Sequence, residues 1–326
     1  MGSSYILIGG AGFVGSHFTD RLLGQAETAR VTIYDNFSSG QDWHLAAHLA
    51  DPRLRIVRGD VKELDALCAA MAGHDRVIHL ASNPDIARAA REPDIDFREG
   101  TALTSNVLEA MRRTGAGALV YASGSGVYGD LGTVEAQEDH APLTPISTYG
   151  ASKLAGEAMI SAYCYMFGLR ASMFRFGNVI GPRQTHGVGF DFVRALRRDS
   201  TRLRILGDGS QSKSYIHVQD VIDAVLLARQ RQERACEVYN VATGDYITVR
   251  EIADLAVAAL GLDPATVTYE FTGGDRGWKG DVPVVRLNCD RIKRLGWAGA
   301  RPTRRAMELA LAAMIDETGI VETGSE

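Results

Sequence analysis

Tyr149 and Lys153 stand four residues apart in the run STYGASKLAGE. On a helix, positions i and i+4 share a face, so both side chains can reach one cleft. A free tyrosine ionises at about pH 10. A lysine ammonium beside it favours the phenolate, which makes the tyrosine a usable base near neutral pH. In outline this is a hydride-transfer site, and such a site needs a third group, a hydroxyl. The stretch YASGSGVYGD (121–130) offers two, Ser123 and Ser125, on either side of Gly124.

Hydride transfer also needs a carrier. The run ILIGGAGFVGSH places Gly9, Gly10, Gly12 and Gly15 at the first strand-to-helix turn. Glycines allow a tight turn there, let backbone approach a pyrophosphate, and seat the helix on the strand. The amides of Phe13, Val14 and Gly15, at the start of the helix, are then free to meet phosphate oxygens. Asp35 follows Gly15 by twenty residues, at the end of the second expected strand. A carboxylate at that point accepts hydrogen bonds from the adenine ribose hydroxyls and repels a 2′-phosphate, so the cofactor expected is NAD rather than NADP.

Strand and helix patterns alternate along the chain to position these groups. Strands are expected at 4–8, 31–34, 54–57, 76–81, 118–122 and 170–176, and helices at 13–23, 63–73, near 99–113 and at 148–167. The strands are continuous apolar runs, as in a parallel sheet covered on both faces. The fold class is therefore α/β, a doubly wound parallel sheet of the Rossmann kind. A smaller, interleaved C-terminal substrate domain completes it. Residues 1–176 form the expected NAD-binding domain, 214–245 add core elements to it, and 177–326 are mainly the substrate domain. Within the last part, GNVIGPRQTHGVG (177–189) reads as a substrate-facing loop, with helices at 190–198, to about 230, near 248–260 and at 302–316. Strands at 203–206, 214–218 and 237–242 lie between them.

The chain has 326 residues and a formal net charge of −5, which implies no attraction to nucleic acid or to a membrane surface. The basic run RALRR (194–198) reads as a solvated helix face. Four dispersed cysteines form no metal-ligand spacing and suggest reduced thiols, and His79, His186 and His217 read as structural, so no metal is expected. The first strand follows directly on Met-Gly-Ser-Ser, and no apolar run reaches the length of a membrane span. A cytoplasmic protein is the expectation.

Taken in order, GGAGFVG, DNFSSG (35–40), GDV (59–61), HLAS (79–82), VYG (127–129), YGASK (149–153), GPRQ (181–184), GDGSQSKSYIHV (207–218) and RGWKGDVP (276–283) span nearly the whole chain. As an ordered set they resemble the extended short-chain dehydrogenase/reductases of the NAD-dependent sugar-nucleotide epimerase/dehydratase group, most nearly the UDP-glucose/UDP-glucuronate 4-epimerase branch. The resemblance implies that Asp35, Asn36, Ser38, Ser39 and Gly40 hold the adenosine ribose, and that Asp60 and Val61 hold the adenine. It implies Leu80, Ala81 and Ser82 beside the nicotinamide, Lys153 on its ribose, and Tyr149 as the base. Asn178, Lys213, Tyr215, Arg276 and Asp281 would surround the nucleotide diphosphate of the substrate. Lys213 stands where relatives commonly carry arginine, which keeps the charge and loses the bidentate fork.

The sequence departs from the family pattern at further positions. The family's serine or threonine three residues before the valine of VYG is Gly124 here. The hydroxyl then comes from Ser125, which flanking glycines leave adaptable, from Ser123, from a water beside Gly124, or from the substrate's own contacts. Strand alternation would turn Ser123 and Ser125 to the same side. A related dehydratase carries an Asp-Glu pair where Ser125 and Gly126 stand, so no acid or base for elimination is evident. Ile8 and Phe97 replace a threonine and an asparagine common in relatives, and mid-sized Val285 occupies a sugar-gauging position.

The function expected is 4-epimerisation of a nucleotide sugar, UDP-linked, through a transient 4-keto intermediate. The alternatives are a dehydratase or reductase, and a non-catalytic NAD-binding sensor. Arg88 is a candidate for a substrate carboxylate, with a surface role as the competing reading. A homodimer is expected through Leu103, Val107, Met159 and Tyr163 on the helices 99–113 and 148–167, residues that core packing would equally explain.

Overall fold

The computed structural model describes residues 2–321. The chain opens with β1 (Ser3–Ile8), α1 (Phe13–Leu23), β2 (Thr28–Asp35), β3 (Leu54–Arg58), α2 (Leu64–Met71), β4 (Arg76–His79), α3 (Ala102–Thr114), β5 (Ala118–Gly124), α4 (Thr148–Phe167) and β6 (Arg170–Phe176). It continues with β7 (Asn178–Ile180), α5 (Val188–Arg198), β8 (Arg202–Ile205), β9 (Ser212–Lys213), β10 (Tyr215–His217), α6 (Val218–Arg231) and β11 (Cys236–Val241). The last elements are β12 (Ile247–Thr248), α7 (Val249–Ala259), β13 (Thr268–Phe271), α8 (Asp290–Arg294) and α9 (Thr303–Val321). The short strands β7, β12 and β13 and the helix α8 carry too little apolar periodicity to be read from sequence.

Seven strands form one parallel sheet in the order β11-β6-β5-β4-β1-β2-β3. Strand order reverses between β1 and β4, the switch point at whose carboxyl ends doubly wound folds bind ligands. Both loops that line it, 9–12 after β1 and 80–82 after β4, belong to this sheet. Its core includes Ile6, Ile8, Val77, Leu103, Val107, Leu119, Tyr121 and Ile160, all buried.

Contacts divide the chain into two compact units. The first comprises 1–127, 142–175 and 222–239, and the second comprises 128–141, 176–221 and 240–326. The expected boundary differs in two places. Residues 128–141 fall in the second unit, and of 214–245 only 222–239 lie in the first. Asn240 explains the placement of 128–141. Its side-chain oxygen accepts from the Tyr128 hydroxyl at 2.7 Å, and its amide donates to the carbonyls of Ala136 and Asn288 at 2.9 and 3.0 Å. Its own backbone amide donates to Glu138 at 2.9 Å. The second unit has a separate core, in which α5, α7 and α9 pack Phe192, Leu196, Ile252, Ala256, Met307 and Leu311 together.

Two of the residues expected at a dimer face are core residues. Leu103 and Val107 are buried, and Met159 and Tyr163 pack half-buried against the same cluster. The large apolar side chains that α4 does expose are Tyr165, Met166 and Phe167, at its end. Among the described residues, no helix is long and apolar enough to cross a membrane.

Asn240→Leu removes three hydrogen bonds, those to the Tyr128 hydroxyl and to the Ala136 and Asn288 carbonyls. We expect a loss of about 3 kcal/mol in stability, measured by chemical denaturation.

Candidate active site

The glycine loop is built by contact as well as by conformation. Gly9 has φ +79°, and a Cβ there would lie 2.7 Å from the Ala81 amide nitrogen, so β1 and β4 can close on each other only around a glycine. Gly15 touches Gly10 in the same way, with a Cβ 2.6 Å from its backbone. Gly12, by contrast, is the N-cap of α1 and has no side-chain cap. The amides of Phe13, Val14 and Gly15 belong to the first turn, where no intrahelical acceptor exists. This open helix end fits a pyrophosphate.

Asp35 closes β2 and is buried. Its Oδ2 accepts from the Ala11 amide at 2.9 Å and its Oδ1 from the Phe37 amide at 2.7 Å. Burial pushes its carboxyl up from the ordinary value, with the two amides and Arg58 opposing. Each oxygen keeps a lone pair, as ribose hydroxyls require. Asn36 donates from its side chain to Asp60 at 3.2 Å and accepts from the Ser38 amide at 3.0 Å. The Ser39 carbonyl accepts from Gln41 at 3.3 Å. A Cβ at Gly40 would meet Ala11 at 2.8 Å, so the 35–40 loop lies directly on the glycine turn. Val61 is buried in the sheet core, and the amides of Leu80 and Ala81 both donate to the Ile8 carbonyl. Ser82 is half-buried beyond them. The residues present fit NAD along the whole switch point.

The chemistry-bearing pair sits on α4. Ser147 caps that helix by accepting from the Gly150 amide at 3.1 Å. Beside it, the buried Asp96 accepts from the Thr148 hydroxyl at 2.6 Å and from Asn83 at 2.8 Å. Lys153 is buried and donates to the Ala122 carbonyl at 2.8 Å, with its ammonium 5.4 Å from the centre of the Tyr149 ring. Burial alone would lower the Lys153 pKa, but Tyr149, Tyr121 and Asp96 outweigh it and hold the amine above its ordinary value. The amine therefore stays a cation.

The two serines part company. The Ser123 hydroxyl donates to Glu157 at 2.5 Å, inside the protein. Ser125 lies past the end of β5 in a short 3-10 turn, half-buried, and strand alternation does not carry through to it. At Gly124 a Cβ would find nothing within 4 Å.

The expected diphosphate residues assemble within the second unit. Lys213 bridges to Asp281 at 2.5 Å, and Arg276 donates to the Asp281 carbonyl at 2.7 Å and to Asp130 at 2.6 Å. Tyr215 is buried, and burial pushes its hydroxyl pKa up. It pairs across β10 and β7 with Asn178, which is exposed. Arg88 is exposed, and its guanidinium pairs with Glu92 through two nitrogens, at 2.8 and 2.9 Å.

Several residues at these positions were not legible in the sequence. Asp96, Asp130 and Arg286 gave no signal by spacing. Arg286 lies 3.6 Å over the Tyr246 ring and donates to Ser212. Glu157 was findable, since 149, 153 and 157 continue one helix face. His79 is buried with its pKa down to about 3, pressed by burial and by Lys153, and is a neutral structural residue. Among the described residues, no cluster could hold a metal ion.

An open helix end, a carboxylate closing β2 and a tyrosine–lysine pair on α4 flank one doubly wound sheet, an arrangement suited to a nicotinamide dinucleotide. The chain belongs to the NAD dependent epimerase/dehydratase family, whose model matches residues 5–242. A putative UDP-glucose 4-epimerase of Methanocaldococcus jannaschii is 30% identical over 90% of this chain and 92% of its own. A dTDP-glucose 4,6-dehydratase of Streptomyces griseus is 32% identical over 92% of this chain and 90% of its own. The crystal structure of a UDP-galactose 4-epimerase superposes with a TM-score of 0.85 at 33% identity, covering 96% of this chain and 99% of that one.

Gly9→Ala forces a side chain onto Ala81 at a left-handed backbone position. We expect at least about a tenfold loss of NAD affinity, read by isothermal titration, and the loss should far exceed that of an alanine at the uncrowded Gly132.

Proposed function

We propose that the protein is an NAD-dependent 4-epimerase acting on a UDP-linked sugar such as UDP-glucose or UDP-glucuronate. The observation that carries this reading is the Gly124-Ser125-Gly126 turn at the end of β5, which brings no carboxylate to follow the first oxidation. The epimerase relatives support it.

Bound NAD supplies reversible hydride transfer at the sugar C4. The chain's own residues do the rest. Tyr149 takes the proton of the C4 hydroxyl through its phenolic oxygen and returns it after the 4-keto sugar turns over. Lys153, kept charged and held by the Ala122 carbonyl, stabilises the phenolate and steadies the nicotinamide ribose. Ser125 serves as the hydroxyl partner, because Ser123 is already committed to Glu157. Lys213, Arg276 and Tyr215 grip the diphosphate, and Asn178 and Asp281 complete that set. Pairing of two chains across the exposed end of α4, and a cytoplasmic setting, belong to the same reading.

The Streptomyces griseus relative favours a second reading, a 4,6-dehydratase. A panel of UDP- and dTDP-sugars with resolved products separates the two. Epimerisation yields the C4 epimer with no net loss of water, whereas dehydration accumulates a 4-keto-6-deoxy sugar. Bound NAD with no turnover of any sugar would sink both and leave a sensor.

In the same assay Ser125→Ala should lower kcat by about a hundredfold with KM little changed. Gly124→Ser added to it should restore much of the rate, since a side chain at 124 meets nothing. Full activity in Ser125→Ala would move the role to another group.

A further inference from the structure

Glu157 lies on α4 one turn beyond Lys153 and two beyond Tyr149, and it is buried. It is part of a three-element contact. Arg175 of β6, itself buried, donates from Nη2 to Glu157 Oε2 at 2.7 Å and from Nε to Oε1 at 3.0 Å. Oε1 also accepts from Ser123 of β5 at 2.5 Å. A carboxylate in a dry interior needs such a partner set, and the planar guanidinium fork fixes its orientation.

The geometry gives this pair a consequence at the reacting end. The strand end is pinned to α4 at three successive places. The Ala122 carbonyl holds the Lys153 ammonium at 2.8 Å, and the Ser123 hydroxyl is held by Glu157. Beyond them, Gly150 rests on the Gly126 carbonyl so closely that a Cβ would lie 2.4 Å from it. Between the pins, Gly124 has open space about its Cα. The placement of Ser125, and of the carbonyl that orients Lys153, is therefore set from outside the 124–125 link itself.

We propose that Glu157, oriented by Arg175, is a positioning residue that fixes the Ala122–Gly126 segment against Tyr149 and Lys153 through the Ser123 hydroxyl. The inference rests on the hydride-transfer reading of Tyr149 and Lys153, and it extends that reading to residues that touch neither sugar nor cofactor. The other ionisable groups around the lysine are Tyr121 on β5, which also feels the Glu157 charge, and Asp96 beside the start of α4; Ser123→Ala leaves all of these charges in place.

Ser123→Ala is the discriminating variant, because it leaves the Glu157–Arg175 pair intact and should remain folded at assay temperature, as circular dichroism checks. Glu157→Gln is the second variant, used if circular dichroism shows it folded. We expect Ser123→Ala to lower kcat about tenfold, with KM for the sugar nucleotide and NAD retention nearly unchanged. Amide hydrogen exchange across residues 122–126 should speed up about tenfold. Ser123→Thr, which keeps the hydroxyl, should restore both. A wild-type enzyme that turns over, with Ser123→Ala equal to it in kcat and in that exchange, overturns the positioning role. A wild type that turns over no sugar nucleotide overturns the epimerase reading instead. The exchange then decides alone: faster exchange at 122–126 in Ser123→Ala upholds the positioning role, and unchanged exchange ends it.

Discussion

A lysine ammonium buried almost completely from solvent is the constraint around which the first unit is arranged. Such a charge is tolerated only with acceptors or electron-rich groups on every side. Lys153 finds the Ala122 carbonyl and the rings of Tyr149 and Tyr121, each 5.3 to 5.4 Å from its nitrogen. Meeting those needs brings α4 down onto the end of β5. The same descent brings the Tyr149 ring beside the ammonium, so satisfying the cation and pairing it with the tyrosine are one structural event.

The strand end and the helix are kept in register by glycines and by charge together. Gly126 and Gly150 let two backbones touch, and Gly156 leaves room for the Tyr121 hydroxyl, which would lie 2.4 Å from a Cβ there. Against that close packing, the Glu157–Arg175 pair adds direction, since a guanidinium fork accepts few orientations of a carboxylate. Below it, His79 is neutral and its Nε2 lies 3.2 Å from the Thr104 hydroxyl, which in turn donates to Gly100. A protonated imidazole there would add a second buried cation next to Lys153. Neutrality at His79 thus protects the charge on the lysine.

The cofactor side obeys a different economy, that of backbone. The Asp35 carboxylate is oriented by two amides, and α1 begins at an uncapped end. Few side chains are involved, which is why the glycine spacing and the acid after β2 were legible in the chain without coordinates. Membership of the NAD dependent epimerase/dehydratase family agrees with that cradle. The second unit, in contrast, gathers its charges by tertiary contact. Lys213, Asp281, Arg276 and Asp130 come from distant segments, and spacing alone linked none of Asp130's neighbours to it.

The sequence by itself determined the alternating fold, the span of α1, α4 and β6, the glycine turn with its acid, and the tyrosine–lysine face. These follow from local periodicity, from the steric freedom of glycine and from i, i+4 geometry, all of which operate within a few residues. Only the tertiary structure decided which serine is free. Ser123 and Ser125 are equivalent by composition, and strand alternation would turn them the same way. What separates them is a carboxylate 34 residues away, on another element, held by an arginine 18 residues further on. The same kind of long-range contact placed 128–141 with the second unit and turned Leu103 and Val107 into core. Hydrogen-bond partners and burial are properties of the packed chain, so no local pattern could carry them.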